Sequence, residues 1–160
     1  PAYHRGRVQS RPRRSAPVIC VVDASVAVKW FAEGEWSQRE DHIEPALEIL
    51  RASARGSLDL YQPPHFFAEV AAVVARLKTD SAQHYIDNLA ALDITRAAPT
   101  VAYSRAFDLA CQLTHHLFDT LYHAVALSLP DAVLVTADRR YFDKAQHLGH
   151  IAWLPDFTCV

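Results

Sequence analysis

No apolar run in this 160-residue chain approaches the roughly 20 residues that a membrane-spanning helix needs. No secretory signal pattern opens it, so a cytoplasmic location without a membrane partner is the default expectation. Cysteine is scarce: Cys20, Cys111 and Cys159 are odd in number, far apart and without C-x-x-C spacing. That excludes a disulfide framework and a zinc ribbon, and leaves Cys20 as a reduced residue packed in a strand. Internal repeats and interdomain linkers are also missing. With 51% hydrophobic and 21% charged residues, a chain of this length buries enough surface to fold as one domain without staples.

Acidic residues are absent from residues 1–17, which carry Arg5, Arg7, Arg11, Arg13 and Arg14. The rest of the chain holds 11 Lys and Arg against 18 Asp and Glu, a formal −7. The first 17 residues have no apolar periodicity and read as a basic, flexible arm, a solvated tail ahead of a contact for nucleic-acid phosphates. Residues 18–160 then form a single domain.

Short β-branched runs alternate with helical segments. Strands are expected at Val18–Val22, Leu58–Gln62, Ile94-Thr95, Ala132–Thr136 and His150–Trp153. Helices are expected to begin at Ser25–Phe31 and to cover Ile43–Arg55, Phe66–Thr79, Ser81–Leu92, Thr100–Thr114, Phe118–Leu129 and Arg139–His147. Strands spaced by helices imply an α/β fold, a parallel sheet covered on both faces.

Four carboxylates lie where a carboxylate is hard to keep. Asp23 closes VICVV, Glu69 sits inside HFFAEVAAVV, Asp119 opens DTLYHAVAL and Asp138 follows VLVTA. Asp23 (or Ser25), Asp119 and Asp138 are each able to cap a helix, about as good a reading singly as a functional one. Glu69 is inside its helix, where capping is ruled out, and its nearest cation there, Arg76, is two turns away. Jointly the acids point elsewhere. The carboxyl ends of parallel strands line one crevice, and converging carboxylates without a basic partner call for hard divalent cations, Mg2+ or Mn2+ rather than zinc. Phosphodiester hydrolysis suits such a cage. Ser25 and Thr136 stand ready to bind a water or a phosphate oxygen, and Arg139-Arg140 to meet a substrate phosphate.

The segments VVDASVAVKWF, PPHFFAEVAAVV, FDTLYHAVAL and LVTADRRYFDKA resemble, in order and spacing, the signatures of PIN-domain ribonucleases, in particular the VapC-like toxins of type II toxin–antitoxin systems. The resemblance spans about residues 18–157. It implies a three-layer α/β/α sandwich with a five-stranded parallel sheet ordered 3-2-1-4-5. It implies Asp23, Glu69, Asp119 and Asp138 as the catalytic, metal-holding acids, with Ser25 and Thr136 at accessory polar positions. It further implies a Mg2+- or Mn2+-dependent endoribonuclease, an RNA substrate, a cognate antitoxin protein and a homodimer. One departure is Ala72, where the family often has an asparagine.

Competing readings are few. His123, four residues after Asp119, suits a packed histidine better than a transition-metal ligand, and His115-His116 reads as a solvated loop. Trp30, Phe31 and Trp36 fit either core or partner surface. An aspartyl phosphatase wants an acid where Ser25 stands, and a receiver domain wants a lysine after the fifth strand, absent from HIAWLPDFTCV. An inactive PIN-like scaffold that binds RNA or protein, or a housekeeping PIN nuclease without an antitoxin, remains as the alternative.

Overall fold

The computed structural model describes residues 16–77 and 82–159. The expected arm, apart from Ala16 and Pro17, and residues 78–81, where the two expected helices Phe66–Thr79 and Ser81–Leu92 meet, lie outside the described residues.

The chain runs β1 (Val18–Val22), α1 (Ala24–Ala27), a 3-10 turn (Val28–Phe31), α2 (Gly34–Ser37), α3 (Ile43–Ala54), β2 (Leu58–Gln62), α4 (Phe66–Leu77) and α5 (Ala82–Ala90). It continues through β3 (Ile94–Arg96), α6 (Pro99–Leu113), α7 (Leu117–Leu127), β4 (Val133–Thr136), α8 (Arg139–Ala145) and β5 (Ile151–Trp153). All four strand pairings are parallel and the order is β3-β2-β1-β4-β5. α3 packs on β2, α7 on β1 and β4, and α8 on β4 and β5. This is the expected α/β/α sandwich.

The two central strands explain the continuous apolar runs. Val21 and Val22 of β1 and Leu134 and Val135 of β4 are fully buried, because helices cover both faces of the sheet. Cys20 is buried in β1 as expected. The first helix differs from expectation: it starts one residue earlier, at Ala24, and tightens into a 3-10 turn after Ala27. That turn buries Trp30 and Phe31, so they are core, and the Trp30 indole donates to the Ala46 carbonyl at 2.9 Å. Lys29 in the same turn is also buried, its ammonium 2.7 Å from Glu40. Trp36 donates to the other Glu40 oxygen at 3.1 Å, so Glu40 satisfies both elements.

Register decides what meets at the carboxyl edge. Val22 of β1 faces Val135 of β4, so the next residues outward, Asp23 and Thr136, emerge side by side. To one side of β1 the chain proceeds to β2, and to the other lies β4, reached only after four further helices and β3. Such a reversal of strand order opens a crevice at the carboxyl ends. Gln62, buried at the end of β2, braces this edge: its amide nitrogen faces Val22 O at 3.0 Å and its amide oxygen faces Val22 N at 3.1 Å.

Candidate active site

Asp23, Glu69, Asp119 and Asp138 line one cavity of about 240 Å3, with Ser25, Val28, Val73 and Tyr141 among its walls. Asp23 follows β1 directly and caps α1, its Oδ1 accepting from Val26 N at 3.2 Å. The same carboxylate accepts the Ser25 and Thr136 hydroxyls, one on each oxygen. Those hydroxyls in turn accept backbone hydrogens from the β4–α8 turn, Ala137 N onto Ser25 Oγ at 3.0 Å and Asp138 N onto Thr136 Oγ1 at 2.9 Å. A hydroxyl has one proton to give. Ser25 and Thr136 give theirs to Asp23, and Thr136 is fully buried, so both hydroxyls orient the acid.

Asp138 caps α8 through Tyr141 N at 3.0 Å. Capping and cavity lining are therefore not alternatives for Asp23 and Asp138, since the same side chains do both. Asp119 does not cap α7. It sits in the first turn, with His116 at the cap position. Its Oδ2 is 3.0 Å from His115 Nε2. The His115 side chain is only 9% exposed, which corrects its assignment to a solvated loop. Thr114 ends α6 in the left-handed region, φ 47°, and that turn folds His115 back over Asp119. His116 is the exposed member of the pair.

Glu69, in the first turn of α4, accepts the Tyr122 hydroxyl at 2.6 Å and has His65 Nε2 3.4 Å away. Its neighbours are thus a tyrosine and a histidine rather than Arg76. The two histidines stand in the same relation to their acids, four residues earlier and just before a helix. His-x-x-x-acid spacing was the signal for both. Ala72 is exposed on α4 and does not line the cavity.

The charges repel where no cation intervenes. Burial pushes the Asp23 carboxyl up to about 6 despite its hydrogen bonds from Ser25, Thr136 and Val26, and Asp138 adds to the push. Burial also raises Asp119; His115 opposes this, while the charges of Glu69 and Asp138 reinforce it. At Glu69 burial works upward, but His65 and Tyr122 prevail and hold it below the usual carboxylate range. Among the described residues, no lysine or arginine forms an ion pair with any of the four.

Residues 20–148 match the PIN domain family. The chain belongs to it. No curated protein matches the chain. PIN domains are typically nucleases that act on RNA or other nucleic acid and generally use divalent metal ions, and the donor set of this PIN domain agrees in kind: four carboxylates, hard oxygen donors, in one cavity with an uncompensated negative field. Among the described residues no three acid, histidine or cysteine side chains are arranged to hold one ion, so an ion would draw the carboxylates inward from their present partners.

Two sequence-predicted residues lie elsewhere. Arg139 does not line the cavity; its guanidinium pairs with Asp143 at 2.9 Å and lies over the rings of Phe142 and Trp153. His123 is fully buried behind the site. Its Nε2 is 2.8 Å from the Gly149 carbonyl, which can only accept, so Nε2 carries the proton and Nδ1 accepts from the Tyr141 hydroxyl at 3.1 Å. Burial lowers its pKa, consistent with a neutral ring. His123 thereby fixes Tyr141, a wall of the acid cavity. His123→Leu should leave the Gly149 carbonyl and the Tyr141 hydroxyl without partners and lower stability by about 2–3 kcal/mol. Urea unfolding measures it, and an unchanged midpoint would show the contacts to be idle.

Proposed function

We propose that this PIN domain is a Mg2+- or Mn2+-dependent endoribonuclease, with Asp23, Glu69, Asp119 and Asp138 holding the metal and carrying catalysis. The observation that supports it is the convergence of these four acids, from four separate elements, on one cavity in which burial and neighbouring acids oppose the ionisation of Asp23 and Asp119. A bound divalent cation supplies charge stabilisation at the scissile phosphate and a more acidic water. The chain's own residues do the positioning. Ser25 and Thr136 fix the Asp23 carboxylate, Asp138 is held at the start of α8, and Tyr122 and His65 aim Glu69. Unstacked RNA best admits a phosphodiester to such a recessed site, so single strands and loops are the expected substrate.

The resemblance to VapC-like toxins extends the reading to a cytoplasmic homodimer silenced by a small cognate antitoxin. An arginine or lysine of that partner, placed among the acids, would satisfy them in place of metal. Residues 1–17 act as a basic arm to the single domain at 18–160. Purified protein with manganese or magnesium should cut total RNA. Expression alone should arrest growth, and co-expression of a small protein encoded beside it should relieve the arrest. Cleavage without arrest would identify a housekeeping PIN nuclease, and neither cleavage nor arrest would leave the non-catalytic scaffold.

A further inference from the structure

Beside the acid cavity lies a second one, of about 390 Å3, lined by Ala110, Thr114, His115, His116, Arg140 and Lys144. None of these residues is acidic, in a chain whose residues 18–160 carry a formal −7. Arg140 and Lys144 are one turn apart on α8 and so share a face. Arg140 is exposed, and among the described residues neither cation has a carboxylate within ion-pair reach. Among the described residues Lys144 Nζ hydrogen-bonds only to carbonyls at the end of α6, Leu113 O at 3.4 Å and the capping Thr114 O at 3.3 Å, long contacts that leave a donor free to turn into the cavity.

The two cavities share a wall. His115 lines the basic one and stands 3.0 Å from Asp119, which lines the acidic one. The Tyr141 ring, 4.9 Å from the His115 ring, closes the acidic side. α8 thus begins at the acids with Asp138 and presents Arg140 and Lys144 to the basic cavity.

We propose that this basic cavity is a phosphate subsite for single-stranded RNA, seating a backbone phosphate that flanks the one delivered to the acids. Four carboxylates repel a polyanion, so a strand entering there must be held by cations close by. Arg140 is the principal ligand, through bidentate contact with a phosphate, and Lys144 adds a point charge. The neighbouring Arg139, turned to Asp143, Phe142 and Trp153, takes no part.

The inference rests on the nuclease reading, and binding separates the two. The full chain carrying Asp23→Asn is titrated with a labelled 12-nucleotide oligouridylate, without divalent cations, over a range of salt. Adding Arg140→Ala should weaken binding roughly fivefold at low salt and flatten the log Kd against log salt slope by about 0.7, the loss of one phosphate contact. Arg140→Ala/Lys144→Gln should flatten it by about 1.4. Arg105→Ala, which removes an exposed arginine from α6, should change neither. Thermal melts confirm folding, and Arg140→Ala removes no hydrogen bond or ion pair among the described residues. Equal affinity and slope with and without Arg140 would overturn the subsite while wild-type cleavage kept the nuclease reading. Arg140-dependent binding by a protein that never cuts would do the reverse, and a parent that binds no RNA at low salt would overturn the subsite outright.

Discussion

Asp23→Asn is expected to cut RNA roughly a thousandfold more slowly than the wild type, a loss of about 4 kcal/mol of transition-state stabilisation, and yet to fold more stably without metal at pH 8. Both effects have one origin. Asparagine, like the protonated acid, keeps the shape and an acceptor for only one of the two hydroxyls of Ser25 and Thr136, but removes a negative charge that the fold disfavours. The Asp23 carboxyl titrates at about 6 in the folded protein against an ordinary 3.8. The native state therefore holds the Asp23 proton to higher pH than the unfolded chain does, and the contribution of Asp23 to stability falls as pH rises from about 4 to about 6, then levels. The total fall is up to about 3 kcal/mol. The variant lacks that fall, so it should match the wild type near pH 4 and exceed it at pH 8. Single-turnover cleavage and urea unfolding at the two pH values measure both. Full activity in the variant would sink the catalytic assignment, and lowered stability at pH 8 would show that Asp23 is there for its hydrogen bonds alone.

Magnesium or manganese should move the melting temperature in the opposite sense to that repulsion. At a free concentration one hundred times Kd, a native-state ligand stabilises by about 2.7 kcal/mol, roughly 5–10 °C for a domain of this size. The gain must depend on pH. Asp23 and Asp119, both pushed up by burial and by neighbouring acids, have to lose their protons for a cation to bind. Proton release should accompany binding near pH 6, visible in calorimetry as a heat that varies with the buffer. The melting shift should shrink below pH 5 and vanish in Asp23→Asn/Asp138→Asn. A wild-type melt indifferent to millimolar manganese, with no heat of binding, would reduce the four acids to caps and half-buried charges.

The parts of the molecule legible in the sequence are those set by local pattern. VICVV and VLVTA announce buried central strands because helices cover both faces, and Leu58–Gln62 stops where Pro63 and Pro64 remove two donors. The four acids stood out because each interrupts an apolar stretch. What the sequence hid depends on tertiary approach. Ser25 and Thr136 each have a hydroxyl that suits a substrate equally well, and only the register of β1 on β4 turns both toward Asp23. Tyr122 meets Glu69 across 53 residues of chain. Arg139 and Arg140 are adjacent, yet successive helix positions diverge by about 100°, and the phase of α8, set by burial of Tyr141 and Ala145, decides which of them reaches the basic cavity. His115 reads as a loop residue between two helices, and only the approach of its ring to Asp119, four residues on, shows it as a partner of the acid.

The hydroxyl of Thr136 reaches Asp23 over 113 residues, and that span has a consequence for synthesis on the ribosome. β1 can pair with β2 soon after both emerge, but its other edge waits for β4, with α4 to α7 made in between. Closing so long a loop is among the slow steps of folding. Until it closes, Asp23 lacks one of its two hydroxyl partners and Asp138 has no cavity to enter. A nascent chain, or one released early before Val133, thus carries three of the four acids without Asp138 and without the Thr136 hydroxyl that steadies Asp23, and the acid cavity is complete only when the strand that finishes the edge has docked.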